Sequence, residues 1–222
     1  MDKYLFILEN NPLFRGISQA EIREIIRCLD GRLIKRAKDT HILRAGDRTD
    51  SLGILLKGSF LVTQVDLWGH RSIIRKTFPG DIYAIPFAAK QGSTINVNLV
   101  AVEDCEILEL NLQKVLTPCS EACPYHHRLI SNLAAVLAEK VFTLNDKITH
   151  MSKRTTREKL LSYLSSESRR QGKLSFDIPF DRQQLADFLC VERAAMSTEL
   201  SKLQKDGYLK TNRNHFELFE RI

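Results

Sequence analysis

The sequence lacks any apolar run long enough to cross a bilayer. Its longest, such as Leu52-Gly53-Ile54-Leu55-Leu56, fall far short of the roughly 20 residues that a spanning helix needs. No N-terminal stretch joins a basic segment, an apolar run and a small-residue cleavage site, which argues against secretion. Cysteine is sparse, odd in number and scattered. Cys28, Cys105, Cys119, Cys123 and Cys190 offer no disulfide framework and read as reduced thiols. A cytoplasmic protein that does not engage membranes is expected. Also missing are a nucleophile elbow, a phosphate-binding loop and a paired metal motif, so nothing marks an enzyme.

What is present is ordinary for a globular chain: 222 residues, 43% apolar and 27% charged, enough for one large domain or two modest ones. The formal charge of +6 is unevenly spread. Residues 152–222 hold 14 Lys and Arg against 10 Asp and Glu, whereas the first 151 hold 19 against 17. The C-terminal third is therefore the basic part, as a polyanion-binding module requires.

Ser18 and Glu21 have capping-box spacing, and Ile22, Ile25, Ile26 and Leu29 follow at helical intervals. From about Leu33 to Leu110 the texture changes to short apolar runs, among them 41–43, 52–56, 60–65, 72–74, 97–102 and 107–110. Turn signals such as Gly46-Asp47, Lys57-Gly58, Trp68-Gly69 and Pro79-Gly80-Asp81 separate them. Many short strands at this spacing predict a jelly-roll-like barrel or sandwich.

A long helix is expected from Pro124. Ile130, Leu137, Leu144 and Met151 recur every seven residues, with Ala134, Val141 and Ile148 beside them. Such a stripe suits a parallel homodimer seam. The alternative is that it packs on the chain's own barrel. A hinge is expected near 150–153. Thr155 and Glu158 then open a further helix, and Ser175 to Phe180 reads as a short strand.

Asp181 caps a short helix with Gln184 three residues on, Cys190-Val191 makes a tight turn, and a second helix runs from about Glu192 to Asp206. Leu185, Ala186, Leu189, Val191, Met196, Leu200 and Leu203 form the inward set of a helix-turn-helix. Arg193, Ala194, Ser197, Thr198, Lys202 and Lys205 face outward. Gly207 ends the helix, and segments 208–211 and 215–218, joined at Arg213, predict a wing. In such a module the second helix enters the major groove of double-stranded DNA. The competing reading is a ligand-binding or scaffolding module whose C-terminal domain contacts protein.

With these motifs in register, the chain resembles the CRP/FNR family of bacterial transcriptional regulators over nearly its whole length. The resemblance is carried by 11–18 (NPLFRGIS), 44–47 (RAGD), 52–58 (LGILLKG), 78–81 (FPGD) and the helix-turn-helix from Arg182 to Gly207. It implies an α+β chain in three parts: a cyclic-nucleotide-binding-like, effector-sensing β-barrel with an N-terminal helix (1–123), a dimerisation helix (124–151) and a winged helix-turn-helix (152–222). It also implies RNA polymerase as a partner if the protein activates. Arg193 matches the family's base-contacting arginine, with Ser197 and Thr198 assisting, Gln183 and Lys202 nearby, and Arg182 and Arg213 on phosphate. Ala194 and Thr198 replace the family's glutamate and second arginine, so its half-site sequences do not carry over.

The front half departs from the family in its effector residues. Where the cyclic-nucleotide branch has Gly-Glu and Arg-Ser or Arg-Thr, this chain has Ala84-Ile85 and Ile95-Asn96, and Phe142 and Thr143 stand at the purine-contacting positions. The resemblance thus places an effector pocket at Ile85, Ile95, Asn96, Phe142 and Thr143 but argues against cyclic AMP. Only Cys28 lies near the N-terminus, which argues against an iron–sulfur cluster. Haem, a metal or a small organic effector stay open. Cys119, Cys123, His126 and His127 have spacing that fits zinc or a redox pair, or equally a plain connector with reduced thiols.

Overall fold

A computed structural model describes residues 2–90, 92–117 and 124–219. The chain divides into two compact units, one of residues 1–65 and 74–139, the other of 66–73 and 140–222. Among the described residues no helix is long and apolar enough to cross a membrane.

The first unit opens with α1 (Leu5–Glu9), a 3-10 turn (Pro12–Phe14) and α2 (Gln19–Cys28). Ser18 and Glu21 form the expected capping box, each side chain bonding the other's backbone N–H. The strands follow: β1 (Arg32–Arg36), β2 (His41–Leu43), β3 (Ser51–Lys57), β4 (Phe60–Val65), β5 (Arg71–Thr77) and β6 (Ile82–Tyr83). After α3 (Ile85–Ala89) come β7 (Asn98–Ala101), β8 (Cys105–Asn111) and α4 (Leu112–Leu116). They build two four-stranded sheets, β1-β8-β3-β6 and β2-β7-β4-β5.

Leu55, Phe60, Val62, Leu99, Ala101 and Ile107 from both sheets meet in one buried cluster. On the other face of the first sheet, Leu52, Ile54, Leu56, Leu108 and Leu110 bury against the helices. That is why 52–56 reads as a continuous apolar run: β3 is covered on both faces. Two of the sequence motifs have a structural basis here. Asn11 is 2% exposed; its Nδ2 donates to Gly80 O at 2.7 Å while its Oδ1 accepts from Leu13 N–H at 2.9 Å. Gly80 takes φ +94°, as the third residue of a Pro-Gly type II turn must.

Helix α5 spans Pro124–Met151. Leu129, Leu133 and Val136 bury one stripe in the first unit's helical core. The heptad stripe is a different one: Leu137, Val141, Leu144 and Ile148 are exposed, and Ile130 and Met151 half-buried.

The second unit continues with α6 (Thr156–Gln171), β9 (Ser175–Asp177), α7 (Arg182–Leu189), α8 (Arg193–Lys205), β10 (Leu209–Asn212) and β11 (His215–Leu218). Thr155 and Glu158 make the second capping box, and Gly172 stops α6 in the left-handed region at φ +64°. Strands β10, β11 and β9 form an antiparallel sheet in the order β10-β11-β9.

Candidate nucleic-acid interface

The helix-turn-helix is assembled from local rules. Asp181 and Gln184 cap α7 reciprocally. Cys190 then adopts φ +49°, a left-handed conformation that costs a non-glycine residue something but reverses the chain in one step. Val191 N–H closes the turn on Ala186 O at 3.0 Å. Leu185, Ala186 and Leu189 of α7 and Met196, Leu200 and Leu203 of α8 are buried. Val191, expected among them, is only half-buried. Ala186 is fully buried, as close approach of the two helices demands.

On the other side of α8, Arg193, Ala194, Ser197, Thr198, Lys202 and Lys205 are all exposed. Arg193 stands in the first turn and has no ion-pair partner among the described residues. Thr198 Oγ1 donates back to Ala194 O at 3.1 Å, which leaves its methyl available for an apolar contact. Lys202 is tied to Glu199 at 2.7 Å, and Gln183 Nε2 donates to Asp187 at 2.8 Å. Arg213 sits at the tip of the β10–β11 hairpin with φ +53° and is exposed.

Arg182 differs from expectation. Its Nη2 donates to Thr211 Oγ1 at 2.6 Å, and its guanidinium carbon lies 4.9 Å from the Phe216 ring centroid. Its Nη1 is buried without a hydrogen-bond partner among the described residues, and burial pulls its pKa below the ordinary arginine value. Arg182 is turned into the wing, where it braces β10 and β11, so its guanidinium is not presented as a phosphate contact.

His150, near the end of α5, is 5% exposed. Its Nδ1 lies 2.8 Å from Ser162 Oγ, and its ring meets Tyr163 edge-on at 5.8 Å. Burial holds its pKa below the usual imidazole value.

The expected effector residues differ in burial. Ile85 is 2% exposed in the helical core, and Ile95 is 1% exposed in the separate cluster between the sheets. Asn96 and Phe142 are exposed, as is Thr143. Two packed isoleucines offer a cyclic phosphate neither charge nor hydrogen bond, so the residues present do not fit a cyclic nucleotide. Of the Cys–His cluster, Cys119 and Cys123 lie outside the described residues. His126 is buried with Nε2 2.9 Å from Lys114 O, and His127 is exposed. No group of three or more His, Cys, Asp or Glu suited to a metal ion occurs among the described residues.

A two-sheet barrel, a long helix with an uncovered apolar stripe, and a winged helix-turn-helix with an exposed arginine define a DNA-binding transcription regulator. Two family profiles match: a cyclic nucleotide-binding domain over residues 33–121 and a Crp-like helix-turn-helix domain over 158–221. The chain is 22% identical over 184 residues to the transcriptional activator protein FnrL of Cereibacter sphaeroides, covering 76% of this chain and 68% of that one. In fold it is similar to FixK2 from Bradyrhizobium japonicum, with a TM-score of 0.66, 18% identity, and coverage of 86% of this chain and 93% of that one. It is also similar to the c-di-GMP responsive regulator CLP of Xanthomonas campestris, with a TM-score of 0.70, 18% identity, and coverage of 90% and 100%. The chain belongs to the CRP/FNR family of transcriptional regulators.

Proposed function

We propose that this regulator binds a two-half-site operator as a homodimer, with α8 of each protomer in the major groove. The observation that carries this reading is Arg193, exposed in the first turn of a helix whose opposite face is fully packed. Its planar fork suits the O6 and N7 acceptors of guanine. Ser197 and Thr198 follow one turn on along the same face, and Lys202 and Arg213 supply charge for phosphate. The uncovered stripe of α5 is the dimer seam, and an effector that shifts the paired helices sets the spacing of the two recognition helices. That spacing has to match half-sites about 34 Å apart. RNA polymerase is the further partner if the bound dimer activates.

Genomic selection of bound fragments, followed by titration of cognate and scrambled duplexes, tests the groove assignment. Arg193→Ala should lose about 1–3 kcal/mol of discrimination at one base position in each half-site. Wild-type discrimination in that variant would remove Arg193 from the base-reading set.

A further inference from the structure

At one end of the sandwich, wholly within the first unit, lies a cleft of about 660 Å³. Two of its lining residues, Arg32 and Glu109, stand in one row across the first sheet. Arg32 pairs in register with Glu109, Glu109 with Gly53, and Gly53 with Tyr83. Residues paired directly across strands share a face. Gly53 contributes no side chain, and the Tyr83 ring occupies that space: a Cβ on Gly53 would fall 2.1 Å from Tyr83 Cζ and 2.5 Å from its Oη. The phenol thus leans over Gly53 along the row that continues to Glu109. Tyr83 is 5% exposed, and its hydroxyl has no hydrogen-bond partner among the described residues.

The charged groups around the cleft separate into two sets. Asp30 is held by Lys114 at 2.6 Å. Asp50 accepts from Ser51 Oγ at 2.8 Å and from Asn111 Nδ2 at 3.1 Å. Glu109, by contrast, is half-buried with neither ion pair nor hydrogen bond among the described residues. Burial raises its carboxyl above the usual range, only partly countered by Arg36 and Arg32. Arg32 and Arg48 line the same cleft, also without an ion-pair partner among the described residues. Free valences in the cleft therefore comprise one carboxylate acceptor and two guanidinium forks.

That set selects against a ligand of one sign. A simple anion meets Glu109, and a simple cation meets Arg32 and Arg48. A molecule carrying both charges satisfies both ends, and charge-assisted hydrogen bonds are the strongest available for doing so. We propose that the cleft binds a small zwitterion of the α-amino-acid class, its ammonium on Glu109 and its carboxylate on Arg48 and Arg32. Ile85 and Ile95, sealed in the core, do not line the cleft, and binding there is independent of how the protein reads DNA.

The test uses the full chain without DNA, so failure of the operator reading does not affect it. Thermal unfolding is followed with mixed proteinogenic α-amino acids at about 10 mM, since a ligand of the native state raises the midpoint by mass action. Parallel samples contain the corresponding amines or the corresponding carboxylic acids. The midpoint should rise with the amino acids alone. Glu109→Gln and the surface variant Arg48→Ala, each read against its own unliganded midpoint, should lose the rise. Calorimetry on the active component should then give at least tenfold weaker binding in either variant. No rise in the wild type, a rise shared by the amines or the acids, or a rise kept by either variant overturns the proposal.

Discussion

Lys147, on the long helix α5, holds its ammonium 4.2 Å from the ring centroid of Phe188, on the first helix of the helix-turn-helix pair. The same ammonium donates to Ile73 O at 2.5 Å. A lysine so placed exchanges water for a ring face and a carbonyl, and burial pulls its pKa down to about 8. Below its unfolded value the unfolded chain binds the proton more readily than the folded one. Stability should therefore climb as pH rises from about 8 toward 10.5. Urea titrations across that window should show the climb in wild type and a flatter profile in Lys147→Met. Parallel profiles would mean the ammonium is hydrated.

His150 gives the acid-side counterpart. Its folded pKa lies below the unfolded 6.5, so the neutral ring's contribution is present above that value and is lost as pH falls below it. His150→Gln keeps a partner for Ser162 and should flatten the decline. Chemical denaturation between neutral and mildly acid pH, compared with wild type, reads the difference.

Arg182 of α7 and Arg213 of the wing should separate cleanly. Arg182→Ala removes the bond to Thr211 and the stacking on Phe216, and should cost about 1–3 kcal/mol of stability. The salt dependence of DNA binding should be unchanged in that variant. Arg213→Ala should leave stability alone and lower the slope of log affinity against log salt by about one. A reversed pattern would return Arg182 to the phosphate backbone.

Leu144→Glu sets a carboxylate in the exposed stripe of α5. Native mass spectrometry should find wild type at twice the 25.5 kDa chain mass and the variant at the single mass. A monomeric wild type would dismiss the two-half-site operator.

Gly53→Ala should destabilise the barrel by about 1–3 kcal/mol, because the new methyl meets the Tyr83 ring and the core does not yield. Gly53→Ala/Tyr83→Phe retains the ring and should recover little. Adding Tyr83→Leu instead should recover more. Thermal or urea midpoints of the three proteins distinguish these outcomes.

Much of this architecture was legible in the sequence because its signals are local. The three capping boxes lie within four residues each, and the strand at Phe60–Val65 and the helix at Pro124–Met151 have the limits expected of them. The short helices Leu5–Glu9, Ile85–Ala89 and Leu112–Leu116 carry too few turns to show a period. The exposed face of α8 was readable because burial alternates along one helix. The surroundings of the expected effector residues were not. Ile85 and Ile95 are ten residues apart, yet they fall into different core clusters, which sheet closure decides. The same holds for Arg182, whose partner Thr211 is 29 residues away. The Arg32–Glu109–Gly53–Tyr83 row depends on pairing among four strands that no single segment displays.

The stripe left open on α5 also bears on dosage. A regulator that must pair through Leu137, Val141, Leu144 and Ile148 before it can span two half-sites responds to the square of its own subunit concentration when that concentration is low. Halving synthesis would then cut operator occupancy about fourfold. A modest change in expression would thus act as a genetic switch with no change in any ligand.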